Sequence, residues 1–372
     1  MPQPVLLLGA GRRRAYDEFV LTRVAAVRPV LLVDAAPPAW ARQCLAGHLA
    51  ADPGKDGATA SAVVRFAARH RVRGVLTHTG EYAVAAATIA GQLGLPGPSL
   101  ATAAACTDPP ALRALLAGRA VPVDVPGTPR VSAEVVVLDG EIRIAAITRT
   151  TLGPAPARQP LRHTVHAHDG LLHNRFLRLA VDRTVHALGI GRGVLHIGLT
   201  LTDRGPRVTD VAPHLPGDLI PLLVKRATGV DLAQAAAALA AGEVPDTTPT
   251  RQRAAAIQFA YPAATGRLDH LDLSPDAAHE PGADRMLLTR HTGDHVTAGP
   301  HATAADRLAL WVAVGETPDD CEDALRRMAR HLSAGIAPLA NAARALRWNC
   351  RDMPSVDCGA VVATRTVPPP AP

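Results

Sequence analysis

Two histidine-rich stretches carry most of the side chains that could do chemistry. The first reads Arg162-His163-Thr164-Val165-His166-Ala167-His168-Asp169 and extends to His173, and the second contributes His196, Asp210 and His214. Imidazole and carboxylate together support two kinds of site. One is a divalent metal centre held by His166, His168 and Asp210, since imidazole suits zinc, iron or nickel. The other is an acid–base site drawn from His163, His196, Asp210 and His214, because an unperturbed imidazole titrates near pH ~6.5. The spacing His-x-x-His-x-His matches no well-specified metal motif, and ordinary surface histidines on a polar loop are the competing reading. Arg149 and Arg175 are candidates to grip a substrate carboxylate by paired guanidinium bonds, although in so arginine-rich a chain each also reads as a surface charge.

The elements that must position these groups follow from periodicity. Val194–Leu201 and Arg207–Val211 read as a hairpin around Asp203-Arg204-Gly205. Strand side chains alternate, so His196, Gly198 and Thr200 are expected to share one face with Val208, Asp210 and Ala212, with His214 just beyond. Upstream, Ala133–Leu138 and Glu141–Ile147 form a second hairpin turning at Asp139-Gly140. Leu177–Leu188, Ile220–Ala227 and Leu232–Ala241 read as helices. At the start of the chain, apolar runs Val5–Leu8, Val30–Val33 and Val75–Thr77 alternate with helical stretches Asp17–Ala26, Ala60–Arg69 and Tyr82–Leu93. That βαβαβ pattern predicts a parallel, Rossmann-like α/β domain. Gly9-Ala10-Gly11 and Asp34 invite a dinucleotide reading, but Arg14 stands where the third glycine belongs, and a tight β–α turn is the better account.

Composition bounds the rest. The 372 residues are 48% hydrophobic, with a formal charge of +6 and only three Trp, three Tyr and four Phe. Spread positive charge without stacking aromatics argues against nucleic acid. Five scattered cysteines (Cys44, Cys106, Cys321, Cys350, Cys358) lack CxxC spacing and read as reduced thiols. No signal-peptide core and no run of about 18 apolar residues is present, so a cytoplasmic protein without membrane contact is expected.

Three passages in order resemble the ATP-grasp superfamily, in particular its carboxylate–amine ligases. They are Gly74-Val75-Leu76-Thr77 with Gly91 to Gly97; Gly193-Val194-Leu195-His196 through Gly205-Pro206-Arg207-Val208 and Gly217-Asp218-Leu219-Ile220-Pro221 to Ala227-Thr228-Gly229-Val230-Asp231-Leu232; and Ala305-Asp306-Arg307-Leu308 with Gly315-Glu316-Thr317-Pro318. The resemblance implies a pre-ATP-grasp-like α/β domain over 1–106, a reduced α+β core over 107–250, a C-terminal subdomain over 251–333 and a helical, then Pro-rich tail over 334–372. It places His163 in a segment near the substrate and Asp218 on the substrate side.

The same resemblance implies ATP-driven activation of a carboxylate, which needs lysines on the phosphates and Mg²⁺ on carboxylates. Here Pro109 stands in the place of one family lysine. Only thirteen residues, Pro122 through Glu134, span the place of the small nucleotide lobe that holds the other. Lys55 and Lys225 are the only lysines, and neither aligns with a nucleotide position. The family's His-Thr-Glu reads His196-Ile197-Gly198, and its Glu-x-Asn-x-Arg reads Asp210-Val211-Ala212-Pro213-His214, leaving Asp210 as the one metal ligand. The expectation is therefore a protein without bound ATP or Mg²⁺ that acts on a small amino-acid-like or carboxylate substrate through its histidines and Asp210. A non-catalytic partner of an active ligase, or a working amide-forming ligase, are the alternatives, and a homodimer is the default assembly.

Overall fold

The computed structural model describes residues 2–124, 130–155 and 158–338. The chain forms two compact units, Met1–Arg149 with Val165–Arg253, and Thr150–Thr164 with the chain from Ala254 onward. The expected 1–106 and 107–250 segments thus share one unit, apart from Thr150–Thr164.

The first unit opens with β1 (Val5–Leu8), α1 (Arg14–Ala25), β2 (Val30–Asp34), β3 (Leu45–Ala50), α2 (Gly57–Arg69), β4 (Gly74–Leu76) and α3 (Ala83–Gln92). The four strands form a sheet in the order β3-β2-β1-β4, with all three pairings parallel. Leu6, Leu8, Leu31, Val33, Val63, Val75 and Ile89 fill its core. At roughly 1.5–3 kcal/mol per buried aliphatic side chain, this apolar packing is what holds the helices on the sheet. The edge strand β3 was not foreseen, because its alternation of half-buried and exposed residues carries no apolar period.

Two short helices, α4 (Leu100–Thr107) and α5 (Pro109–Ala117), lead to β5 (Arg130–Leu138) and β6 (Glu141–Leu152). Pro109 sits in the first turn of α5 behind the N-cap Asp108, where a missing N–H costs nothing. The β5–β6 turn has positive φ at both Asp139 and Gly140, as a type I′ hairpin requires. Then come β7 (Pro160–His166), α6 (Arg175–Leu188), β8 (Arg192–Thr202), β9 (Gly205–Ala212), α7 (Ile220–Thr228) and α8 (Leu232–Ala240). In this unit the antiparallel order is β6-β5-β8-β9. One face is apolar: Val131, Ala133, Val135, Leu195, Ile197 and Val208 pack with Leu177, Val181 and Val185 of α6. That helix begins at Asn174, which accepts from the N–H of Phe176 and Leu177, and ends at Gly189 with φ +63°.

The second unit contains β10 (Ala254–Ala260), β11 (Gly266–Leu273), β12 (Ala283–Leu288), β13 (His295–Val296), β14 (Ala309–Gly315), α9 (Pro318–Ala329) and β15 (Leu332–Pro338). β14 pairs antiparallel with both β10 and β12, and β11 pairs with β13 and β15. Trp311 is the largest fully buried side chain among the described residues, its indole N–H donating to Leu325 O of α9 at 3.1 Å. Asp306 accepts from the N–H of Thr297 and Thr303, and Arg307 stacks on Phe259 at 3.7 Å, so this pair braces the unit. Ala334–Pro338, expected to start a helical tail, instead complete β15; the rest of the tail, with Cys350 and Cys358, lies outside the described residues. No helix among the described residues is long and apolar enough to cross a membrane.

Candidate functional site

The face of the β5-β8-β9 sheet opposite α6 is polar. Alternation along β5 sends Arg130, Ser132 and Glu134 to it, while Val131, Ala133 and Val135 go to the core. Register then sets Glu134 beside His196 and Gly198 beside Asp210. The sequence reading expected Val208 on this face as well. A bulge between Gly198 and Leu199 pairs Val208 with Leu199 and turns it into the core, so the polar face keeps His196, Gly198, Thr200, Asp210 and Ala212.

Glu134, which is not among the residues expected from the sequence, is the centre of the site. Its carboxylate is wholly buried and accepts from Ser132 Oγ at 2.8 Å and Thr148 Oγ1 at 2.9 Å. His196 Nδ1 lies 3.0 Å from Oε2. The available signal was a carboxylate in the middle of an otherwise apolar strand with Ser132 two residues before it. Burial disfavours a charged imidazole at His196, but the Glu134 carboxylate and its hydrogen bond outweigh that, with Asp210 adding, and the pKa is raised. With Nδ1–H committed to Glu134, Nε2 is the atom left to exchange a proton.

His214 is tuned the other way. Its Nδ1 bonds the Leu215 carbonyl at 2.8 Å, which leaves Nε2 as an acceptor. Burial lowers its pKa, and the nearby His196 and His78 imidazoles lower it further. The two imidazoles are thus shifted in opposite directions and are coupled electrostatically.

Asp210 is held rather than free. Its Oδ2 accepts from Thr209 Oγ1 at 2.6 Å and from Arg130 at 3.1 Å. The carboxylate leans over Gly198, where an added Cβ would lie 2.6 Å from Asp210 Cγ. Lys225 is tied to Asp231 at 2.5 Å, and Asp231 also holds Arg23 at 2.7 Å. Lys55 sits in the exposed turn before α2.

The other expected residues are placed elsewhere. Arg149, one step past Thr148 and so on the opposite side of β6, forks onto the buried Asp169 carboxylate at 2.6 and 2.9 Å. Two of its N–H donors are engaged in that fork. Arg175 is exposed at the start of α6 with its guanidinium 4.7 Å above the Phe176 ring. Asp218 and Leu219 take φ of +53° and +59° in the turn into α7, a conformation that L side chains adopt at a cost. His163 is buried in the second unit, 3.0 Å from Thr150 Oγ1 and edge-on to Phe259, in a strand and not a loop. His166 and His168 meet edge-to-face at 5.7 Å. No group of three or more His, Cys, Asp or Glu among the described residues could hold a metal ion, so the proposed set of His166, His168 and Asp210 is not assembled.

Residues 258–337 match a family described as L-amino acid ligase C-terminal domain 2. Among solved structures, an L-amino acid ligase from Bacillus licheniformis superposes with TM-score 0.76 at 16% identity, covering 91% of this chain and 99% of that one. Phosphoribosylglycinamide synthetase from Anaerococcus prevotii gives TM-score 0.75 at 13% identity, covering 91% and 100%. N5-carboxyaminoimidazole ribonucleotide synthetase from Thermotoga maritima gives 0.63 at 14%, covering 89% and 99%. An uncharacterized protein of Sinorhizobium fredii is 32% identical over 162 residues, which is 43% of this chain and 33% of that relative's length.

Proposed function

Proceeding from a chain with the ATP-grasp fold, we propose that it acts on an amino-acid-like or carboxylate substrate by acid–base chemistry that does not pass through a magnesium–triphosphate. The observation that carries this reading is the pairing of Glu134 with His196 beside an Asp210 carboxylate that is already answered by Arg130. In this assignment His196 Nε2 donates a proton to the substrate and His214 Nε2 accepts one, with Glu134 holding the His196 ring in place.

The groups present do not fit a magnesium–triphosphate. Mg²⁺ wants carboxylate oxygens in near-octahedral array, yet Asp210 is neutralised by Arg130 and Glu134 is enclosed by Ser132, Thr148 and His196. The space where a side chain at position 198 would enter is filled by Asp210. Lys225 is committed to Asp231. Amino acids are the first substrates to try, since the Bacillus licheniformis neighbour is an L-amino acid ligase.

Calorimetry with Mg²⁺ and ATP on the purified chain is the direct test, with no micromolar binding expected. Micromolar binding would replace this reading with ATP-dependent amide formation. In parallel, NMR of amino-acid mixtures incubated with the protein and no nucleotide should show conversion that His196→Ala and His214→Ala each abolish.

A further inference from the structure

We propose that a groove in the first unit, sharing no lining residue with the Glu134–His196 face, binds a small oxyanion of multiple charge. The cavity measures 530 Å³ and opens between the start of β6, the end of β7, α6 and the chain that follows α8. That volume lies in the ~300–1,000 Å³ range typical of small-molecule sites.

Its rim is cationic. Arg143, Arg178 and Arg251 line it together with His168 and His173, the two histidines left over from the expected metal centre and loop. Two of the arginines are pinned by single bonds. Arg143 donates from one terminal nitrogen to Thr247 Oγ1 at 2.8 Å, and Arg178 donates from Nε to Leu172 O at 2.8 Å. A guanidinium has five N–H donors, so each keeps most of them in a fixed orientation for another acceptor.

These arginines converge on one cavity without an ion pair: among the described residues none of the three takes a carboxylate in a salt bridge, and Arg143 is sensed by Asp246 only through space. Arg130, Arg149 and Arg192 in the same unit each take a carboxylate within 3.1 Å. Glu141 and Asp182 stand on this very rim, yet neither forms an ion pair with Arg143, Arg178 or Arg251 among the described residues. Three guanidiniums around one cavity, none of them in a salt bridge, repel each other, and an anion that bridges them relieves that repulsion through charge-assisted, fork-shaped bonds. An amino acid offers one carboxylate and brings its own ammonium, which cannot bridge three guanidiniums. A diphosphate or a tricarboxylate answers all of them, and phosphoryl and carboxylate oxygens present the same acceptor geometry to the fork.

The test is calorimetry of the full chain at low salt with pyrophosphate and, separately, citrate. Binding of pyrophosphate alone supports a phosphoryl ligand, and binding of citrate alone a polycarboxylate. In Arg251→Gln, whose side chain is exposed and supports nothing, affinity should fall about tenfold, the loss of one charged hydrogen bond, at an unchanged melting temperature. Arg143→Gln should weaken binding similarly, and His196→Ala should leave it intact. Silence with both anions, parental affinity in both arginine variants, or loss of binding in His196→Ala would overturn the proposal. This outcome is read independently of the Mg²⁺ and ATP titration, so the two ideas stand or fall separately.

Discussion

Asp210 faces Gly198 across β8 and β9 and bends its carboxylate over the bare Cα, so that a Cβ at position 198 would come within 2.6 Å of Asp210 Cγ. The geometry ties the identity of one residue to the position of the other. Gly198 has no left-handed φ to justify a glycine; the requirement is space. Gly198→Ala is expected to push Asp210 off Arg130 and destabilise the fold by about 1–3 kcal/mol, as overpacking does. Urea denaturation reads this, and an unchanged midpoint would mean that Asp210 swings aside at no cost.

His196 and Glu134 make stability depend on pH with a definite sign. Burial works against the charged imidazole, but Glu134 prevails and the folded pKa is raised. Such a group contributes stability that is complete below its unfolded pKa of ~6.5 and is lost as pH rises through the folded value. Glu134→Gln should remove that alkaline loss, and the His196 ring resonances in an NMR titration should shift their midpoint downward. A midpoint that stays put in Glu134→Gln would show that some other group sustains the charge.

His214 has the opposite slope. Its folded pKa is lowered by burial first, and then by His196 and His78. Stability from this group is present above the unfolded pKa of ~6.5 and is lost as pH falls through the folded value. His214→Gln should therefore flatten the acid side of the stability profile and leave the alkaline side, which belongs to His196, in place. Thermal melts from pH 5 upward would reveal a steepened acid side if the assignment is inverted.

Arg149 serves the fold. Removing it in Arg149→Ala leaves the Asp169 carboxylate, only 4% exposed, without its fork. The expected cost is about 1–3 kcal/mol for a buried carboxylate left with only the Leu171 N–H, with the lower end favoured because the guanidinium itself is half exposed. Once turnover is measurable, KM should be unchanged. A large rise in KM without loss of stability would restore Arg149 as a substrate clamp.

Much of the architecture could be read from local pattern. The βαβαβ opening, the Asp139-Gly140 hairpin, the β8–β9 hairpin and the helix closed by Gly189 each rest on periodicity or on one turn residue. β3 escaped because an edge strand with little apolar content leaves no period to find. In the site, His196, Asp210 and His214 were visible as residue types, whereas Glu134 hid in a run of valines. Its function as a charge depends on Ser132, Thr148 and His196, which reach it from three strands. The partners of Arg149 and His163 were hidden for a related reason, since Asp169 and Thr150 each lie more than ten residues away.

The sequence by itself determined most of the residues that alternate toward a polar face, where the strands turn, and that the chain has two lysines, Lys55 and Lys225. Only the tertiary structure decided that Glu134 is wholly buried, that the His196 and His214 affinities for a proton diverge, and that Asp210 occupies the space above Gly198. A side chain's type is fixed by its codon, but its charge state depends on burial and on neighbours a few ångströms away. Those neighbours are brought together by strand register and by a single bulge, which a linear pattern does not encode.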